Sequence, residues 1–126
     1  MRLSAYRKGQ MKDQALELEI NLLHERVCAA LSDTTRIMIL YLLADQPLFV
    51  NEISETLDTP QSTVSRHLRI LRERNLVDTA REGTSVRYSL KDHRIIAALD
   101  LLRDLLNDQV QADAAITQAN VEKINK

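Results

Sequence analysis

Gln61, Ser62, Thr63, Ser65, Arg66, His67 and Arg69 crowd into one short stretch between Pro60 and Arg74. Hydroxyl and amide groups can hydrogen-bond to base edges, and guanidinium groups can pair with phosphate oxygens. Val64, Leu68 and Leu71 recur at i, i+4 and i+7, which is one face of an α-helix. Ser62, Ser65, Arg66, Arg69 and Glu73 fall on the other side. A helix of this kind suits the major groove of DNA, with its first residues at the bases and its arginines at the phosphates. An ordinary amphipathic helix with a solvated face has the same pattern, so the flanking elements must decide.

A second group with chemical potential is His24 and Cys28, at i, i+4 on one side of a helix. Such a pair can share a metal ion, and a thiol beside an imidazole can be reactive. Further ligands would have to come from His93 or from a second protomer. A half-buried cysteine next to a surface histidine is the plainer reading, and it is preferred here, with no metal and no cofactor expected. No phosphate loop, nucleophile elbow or zinc-hydrolase motif is present, and the three histidines and single cysteine form no catalytic set, so an enzyme is not expected.

The elements around the opening stretch are legible in order. Residues 13–31 read as a helix with Leu16, Ile20, Leu23, Val27 and Leu31 in one stripe, widened by Leu18 and Leu22. Ser32-Asp33 supplies the N-cap of a second helix, whose apolar set is Ile37, Leu40, Tyr41 and Ala44. That helix should end near Asp45-Gln46, before Pro47. Leu48-Phe49-Val50 can pair as a minimal strand. Residues 51–57 form a short helix with Ile53 and Leu57 inward, and Thr59 can cap the next helix with Pro60 in its first position. Two short helices joined by a tight turn make a helix-turn-helix over 51–74. Residues 76–90 alternate about Gly83 as a β-hairpin, a wing from which Arg81 and Arg87 would project.

Residues 92–110 read as a last helix, with Asp92 as N-cap and a stripe of Ile95, Leu99, Leu102, Leu106 and Val110. This helix and residues 13–31 offer more apolar surface than a small domain hides internally, which points to a homodimer interface. Residues 111–126 form an extension, either helical or frayed. Residues 1–12 are expected to be a flexible basic arm.

The whole chain, at 126 residues with two glycines, two prolines and no tryptophan, should be one mainly helical domain with an aliphatic core. One cysteine excludes an intramolecular disulfide and fits a reducing cytoplasm. No apolar run approaches the ~18–20 residues of a membrane span, and no apolar segment follows the basic start as in a secretory signal. The net charge is −1, but it is unevenly spread. Residues 1–12 hold four basic side chains and no acids, and residues 13–60 hold nine acids against two arginines. Residues 61–90 hold six arginines against three acids. Positive charge is thus local to the arm and to the helix with its wing, as a polyanion partner requires.

Taken in sequence, these elements resemble the ArsR/SmtB family of dimeric winged helix-turn-helix repressors across roughly residues 13–108. Ala30-Leu31-Ser32-Asp33-Thr34-Thr35-Arg36-Ile37 is similar to the family's opening of the second helix. Gln61-Ser62-Thr63-Val64-Ser65-Arg66-His67-Leu68 is similar to its recognition helix. Leu76-Val77 and Gly83 to Tyr88 resemble its wing, although Asn75 stands where the family has glycine. The resemblance implies a cytoplasmic homodimer that binds an inverted-repeat operator in double-stranded DNA and releases it when an inducer arrives. By the same analogy Gln61, Ser62, Ser65 and His67 approach bases and phosphates. The helical face adds Thr63, Arg66 and Arg69, and His67 is either a direct contact or a hydrogen-bonded structural residue.

Neither of the family's metal sites is complete. Phe49-Val50-Asn51 occupies the thiol cluster of one. In the second, Asp92 matches the first ligand and Asp108 could replace the last, but Arg94 and Leu105 stand at the two histidine positions. Arginine and leucine cannot ligate a divalent cation. The expected fold is therefore mainly α with a small β-hairpin wing, a winged helix-turn-helix over 13–110 whose amino- and carboxy-terminal helices form a dimer interface. The expected function is a DNA-binding regulator with an unidentified inducer. A metal- or thiol-responsive sensor using His24 and Cys28, and a winged-helix interaction module without DNA binding, stay open as alternatives.

Overall fold

A computed structural model describes residues 13–124. The chain divides between Asp92 and His93 into two compact units. The first contains α1 (Gln14–Leu23), α2 (Thr34–Asp45), β1 (Leu48–Phe49), α3 (Val50–Leu57), α4 (Gln61–Glu73), β2 (Val77–Glu82) and β3 (Ser85–Leu90). The second is a single helix, α5 (Arg94–Ile124). The arm expected over residues 1–12 lies outside the described residues.

Asp13 caps α1, its carboxylate accepting from the Leu16 amide at 3.0 Å. Beyond Leu23 the helix widens into one π turn over His24–Cys28 and then tightens into a 3-10 turn over Ala30–Ser32. Only Leu16 of the expected apolar stripe is buried in the single chain, while Ile20 and Leu23 stay exposed along with Leu18 and Leu22. Asp33 is the N-cap of α2, accepting from the Thr35 amide at 2.8 Å. The α2 core face differs from the expected one. Ile39, Leu40 and Leu43 are its deepest residues, whereas Ile37, Tyr41 and Ala44 are half-buried. This helix packs on both α4 and β3, so apolar residues on several sides are used and no single stripe marks the inside.

The sheet is antiparallel with order β1-β3-β2. Leu48 pairs with Tyr88 and Phe49 with Arg87, while Val77 pairs with Leu90 and Glu82 with Ser85. That register leaves Gly83 and Thr84 as the hairpin loop, and Gly83 adopts φ +63°, a left-handed geometry that needs no Cβ. Val50 belongs to α3 rather than to the strand; the Glu52 carboxylate accepts from the Phe49 amide at 2.9 Å and holds this helix start. The core of the first unit is aliphatic: Ile39, Leu40, Ile53, Val64, Leu68 and Leu71 are its largest fully buried side chains.

In the second unit α5 is an unbroken helix through Ile124, so residues 111–124 are helical. Its first amides bond to the carbonyl of His93, from Ile96 at 3.0 Å and Ala97 at 3.3 Å, which moves the helix start one residue past the expected Asp92 cap. Leu99 is buried, but Leu101, Leu102, Leu105, Leu106 and Val110 are exposed. Among the described residues no helix is long and apolar enough to cross a membrane.

Candidate nucleic-acid interface

α4 is fixed in place at both ends. α3 stops at Asp58, which takes a left-handed conformation (φ 49°, ψ 49°). The Thr59 amide then reaches back to the Ser54 carbonyl at 3.1 Å and the Asp58 amide to Glu55 at 3.3 Å, which is a Schellman closure. Thr59 does not cap α4 as expected, because its hydroxyl is spent on the Leu57 carbonyl at 3.0 Å. Pro60 is the N-cap instead, and its carbonyl accepts from the Thr63 and Val64 amides, each at 3.0 Å. At the far end the same closure recurs. Asn75 sits at φ 62°, the Leu76 amide bonds to Leu71 at 2.9 Å and the Asn75 amide bonds to Arg72 at 3.0 Å. Asparagine here fills the left-handed position for which glycine is the usual choice, and it tolerates that geometry better than other residues with a Cβ.

Between these closures α4 presents the expected division. Val64, Leu68 and Leu71 are fully buried, and Gln61, Ser62, Ser65, Arg66 and Arg69 are exposed. Ser62, Ser65 or Arg66, and Arg69 follow one another at helical spacing, so hydroxyls and cations form one continuous outward row. Thr63 is only half-exposed, and Arg72, not anticipated from the sequence, extends the cationic side by a further turn. A groove of about 420 Å³ separates the start of this helix from the wing, with Gln61 and Asn51 on one wall and Ser85 and Val86 on the other.

His67 departs from the exposed row. It is 5% exposed, with Nδ1 3.2 Å from Nη1 of Arg36 and Nε2 3.9 Å from the Asp33 carboxylate. The structure therefore places it with the packing residues and not on the surface that faces outward. Burial pushes its pKa down; Asp33 opposes this, and Arg36 and Arg66 reinforce it. Asp33 is itself pulled below the ordinary carboxylate value: desolvation acts upward, but the Thr35 amide and the charge of His67 outweigh it. Arg36, like Arg72, is absent from the site residues expected from the sequence. Its guanidinium donates to the Ala30 carbonyl at 2.7 Å and the Ala29 carbonyl at 3.3 Å, tying the turn before α2 to the recognition helix. The only signal was its position in the Asp33-Thr34-Thr35-Arg36 motif.

The wing carries its two arginines differently. Arg81 is exposed near the hairpin loop. Arg87 does not project as expected: it pairs with Glu82 through two short contacts, 2.9 Å from Nε and 3.0 Å from Nη2, and its guanidinium carbon lies 4.6 Å from the Phe49 ring centre. A cation over a ring face and opposite a carboxylate fastens β1 to the hairpin. At the other candidate site, His24 and Cys28 bound the π turn and both are exposed. Among the described residues no group of three or more His, Cys, Asp or Glu side chains is arranged to hold a metal ion.

Comparison with known proteins matches residues 33–79 to the model of the bacterial regulatory protein, arsR family. The transcriptional activator HlyU of Vibrio cholerae is 38% identical over 76 residues, covering 60% of this chain and 70% of that protein. The chain belongs to the arsR family. The HTH-type transcriptional regulator KmtR of Mycobacterium tuberculosis is 42% identical over 65 residues, covering 52% of this chain, and this chain spans half of KmtR's length. Among solved structures, reduced HlyU from Vibrio cholerae superposes with a TM-score of 0.64 at 34% identity, covering 73% of this chain and 96% of that one. The homodimeric winged helix-turn-helix DNA-binding domain Mb0332 from Mycobacterium bovis gives a TM-score of 0.67 at 27% identity, covering 83% of this chain and 94% of that one.

Proposed function

We propose that this protein is a homodimeric, sequence-specific DNA-binding regulator that represses transcription by occupying an inverted-repeat operator and leaves it when an inducer binds. The observation that carries this reading is the outward row of α4, where Gln61, Ser62, Ser65, Arg66 and Arg69 are exposed while Val64, Leu68 and Leu71 lock the opposite face into the core. The short side chains at the helix start read base edges in the major groove, and Arg66 and Arg69 neutralise phosphates. Arg81 at the wing tip adds a flanking backbone contact. Thr63 and Arg87 have a smaller part in binding, the first half-covered and the second held by Glu82 and Phe49.

A dimer follows from the apolar side chains that the single chain leaves in water. Leu18 and Leu23 on α1, and Leu101, Leu102, Leu105 and Leu106 on α5, are each more than half exposed. Covering both helices by a second copy would bury on the order of 1,000 Å² or more, enough for a stable interface. Two copies related by a two-fold axis set two recognition helices about 34 Å apart, one turn of B-DNA, which is why an inverted repeat is the matching target.

A gel-shift titration against duplexes selected from a random library tests the reading. Selection of an inverted repeat, with binding that weakens steeply as salt rises, supports it. Binding no tighter to the selected duplex than to random DNA overturns it.

A further inference from the structure

The middle of the recognition helix is held by an arrangement that specifies one protonation state. Arg36 donates from Nε to the Ala30 carbonyl at 2.7 Å, and its Nη2 lies 3.4 Å from the Ser32 hydroxyl. Its remaining arm puts Nη1 at 3.2 Å from Nδ1 of His67. A guanidinium has no acceptor and stays charged across the accessible pH range. Nδ1 must therefore accept, with its lone pair facing Arg36. The single ring proton is left on Nε2, the atom that faces the Asp33 carboxylate at 3.9 Å. A second proton would set one N–H against another across that 3.2 Å contact, in a side chain that is 5% exposed.

Among the described residues, charges reach the ring from two directions. Asp33 and Arg36 face it from the start of α2, and Arg66 lies beside it on α4 itself. α3 and β2 also pack on α4, but among the described residues they bring no charge to bear on His67. Among the described residues Asp33 is the group that favours the imidazolium, and it stands farther off than Arg36. His67 lies between Arg66 and Leu68, so any shift of α4 that relieves its ring shifts the outward row as well.

We propose that Arg36 and His67 are positioning residues for DNA reading, and that protonation of His67 breaks their contact and loosens the recognition helix. The inference rests on the DNA-binding reading above. The locked state holds His67 neutral, so it binds fewer protons than the loosened state. The margin of the locked state over the loosened one is then complete above the ordinary histidine value near pH 6.5 and shrinks as the pH falls below it, approaching about tenfold per pH unit for each protomer; affinity falls as the loosened state becomes populated.

The probe is a fluorescein-labelled duplex selected by the wild-type protein from a random library at pH 8, followed by anisotropy at constant ionic strength from pH 8 to pH 5. Wild type should lose affinity on acidification. His67→Asn, whose side-chain oxygen can accept from Arg36 but cannot titrate, should give a flat profile from pH 8 to pH 5. His24→Gln and His93→Gln, both altering exposed histidines, should keep the wild-type profile. A flat wild-type profile, or the same slope in His67→Asn, overturns the proposal. Should His67→Asn fail to fold, ring nitrogen NMR of wild type decides: the Nε2–H tautomer at neutral pH supports the lock, and an Nδ1–H ring or titration at the ordinary value overturns it. If no duplex is selected at any pH, the DNA-binding reading fails by itself, and the tautomer measurement still judges the contact.

Discussion

Replacing Arg69 by alanine gives the sharpest test of how α4 meets DNA. Arg69 is exposed, it follows Ser62 and Ser65 in the outward row, and among the described residues it has no ion-pair partner to lose. Truncation should therefore leave the fold intact and remove one phosphate contact per protomer. Each neutralised phosphate contributes about 0.9 to the slope of log affinity against log salt concentration, so the dimer's slope should become shallower by about 1.8. Between 50 and 200 mM salt, the ratio of wild-type to variant affinity should then shrink by about twelvefold. Anisotropy titrations at several salt concentrations measure both lines directly. Ser65→Ala is the control: a neutral base-facing group should change discrimination between duplexes and leave the slope unchanged. Parallel lines for wild type and Arg69→Ala would refute the argument, because they would show that Arg69 does not displace counterions.

Other expectations concern the parts that hold this surface in place. Asn75→Gly should stabilise the fold by about 0.5 kcal/mol and Asn75→Ala should destabilise it by about 1 kcal/mol, since a left-handed residue favours glycine over any Cβ; urea unfolding reads both. Leu68→Ala opens a cavity under the recognition helix and should cost about 2–5 kcal/mol in the same assay. Leu102→Glu with Leu105→Glu should yield a monomer in sedimentation and weaken DNA binding, because two charges per chain would be forced into the apolar contact that covers α5.

The face of α4 was legible because two strong signals coincide there: aliphatic residues at i, i+4 and i+7, and hydroxyls and cations opposite them. The hairpin was legible for a similar reason, with alternation about a glycine. α2 was not, because a helix packed on several sides carries apolar residues all round, and Ile39 looks no different in sequence from Met38, which is 52% exposed. His67 hung on a partner 31 residues earlier in the chain, a pairing that no local period reveals. Arg87 looks like any wing arginine until the register sets it opposite Phe49. The π turn at His24–Cys28 is likewise silent in composition, since it comes from a shift of one residue in backbone pairing, from the Ala29 amide to the His24 carbonyl at 2.9 Å.

Three different kinds of contact hold the recognition helix, and they respond to different variables. Its start is fastened by backbone bonds around Asp58 and Pro60, which neither salt nor moderate acid disturbs. Its middle is fastened by Arg36 and His67, a part-buried contact that the proposal makes sensitive to protons and that is less screened by salt than a surface charge. Its end is fastened by Arg74, which donates to the Glu25 carbonyl at 2.6 Å on the exposed side of the π turn. On the proposed reading, exposed cations meet the DNA, and their contribution varies with salt. Acid and salt therefore act on separate terms of the binding equilibrium. Acidification through His67 should lower affinity equally at every salt concentration, shifting the log–log line without tilting it. Loss of Arg69 should tilt the line at every pH. A single grid of affinities over pH and salt separates positioning from contact, and a slope that changed with pH would mean that the group titrating is one that touches phosphate.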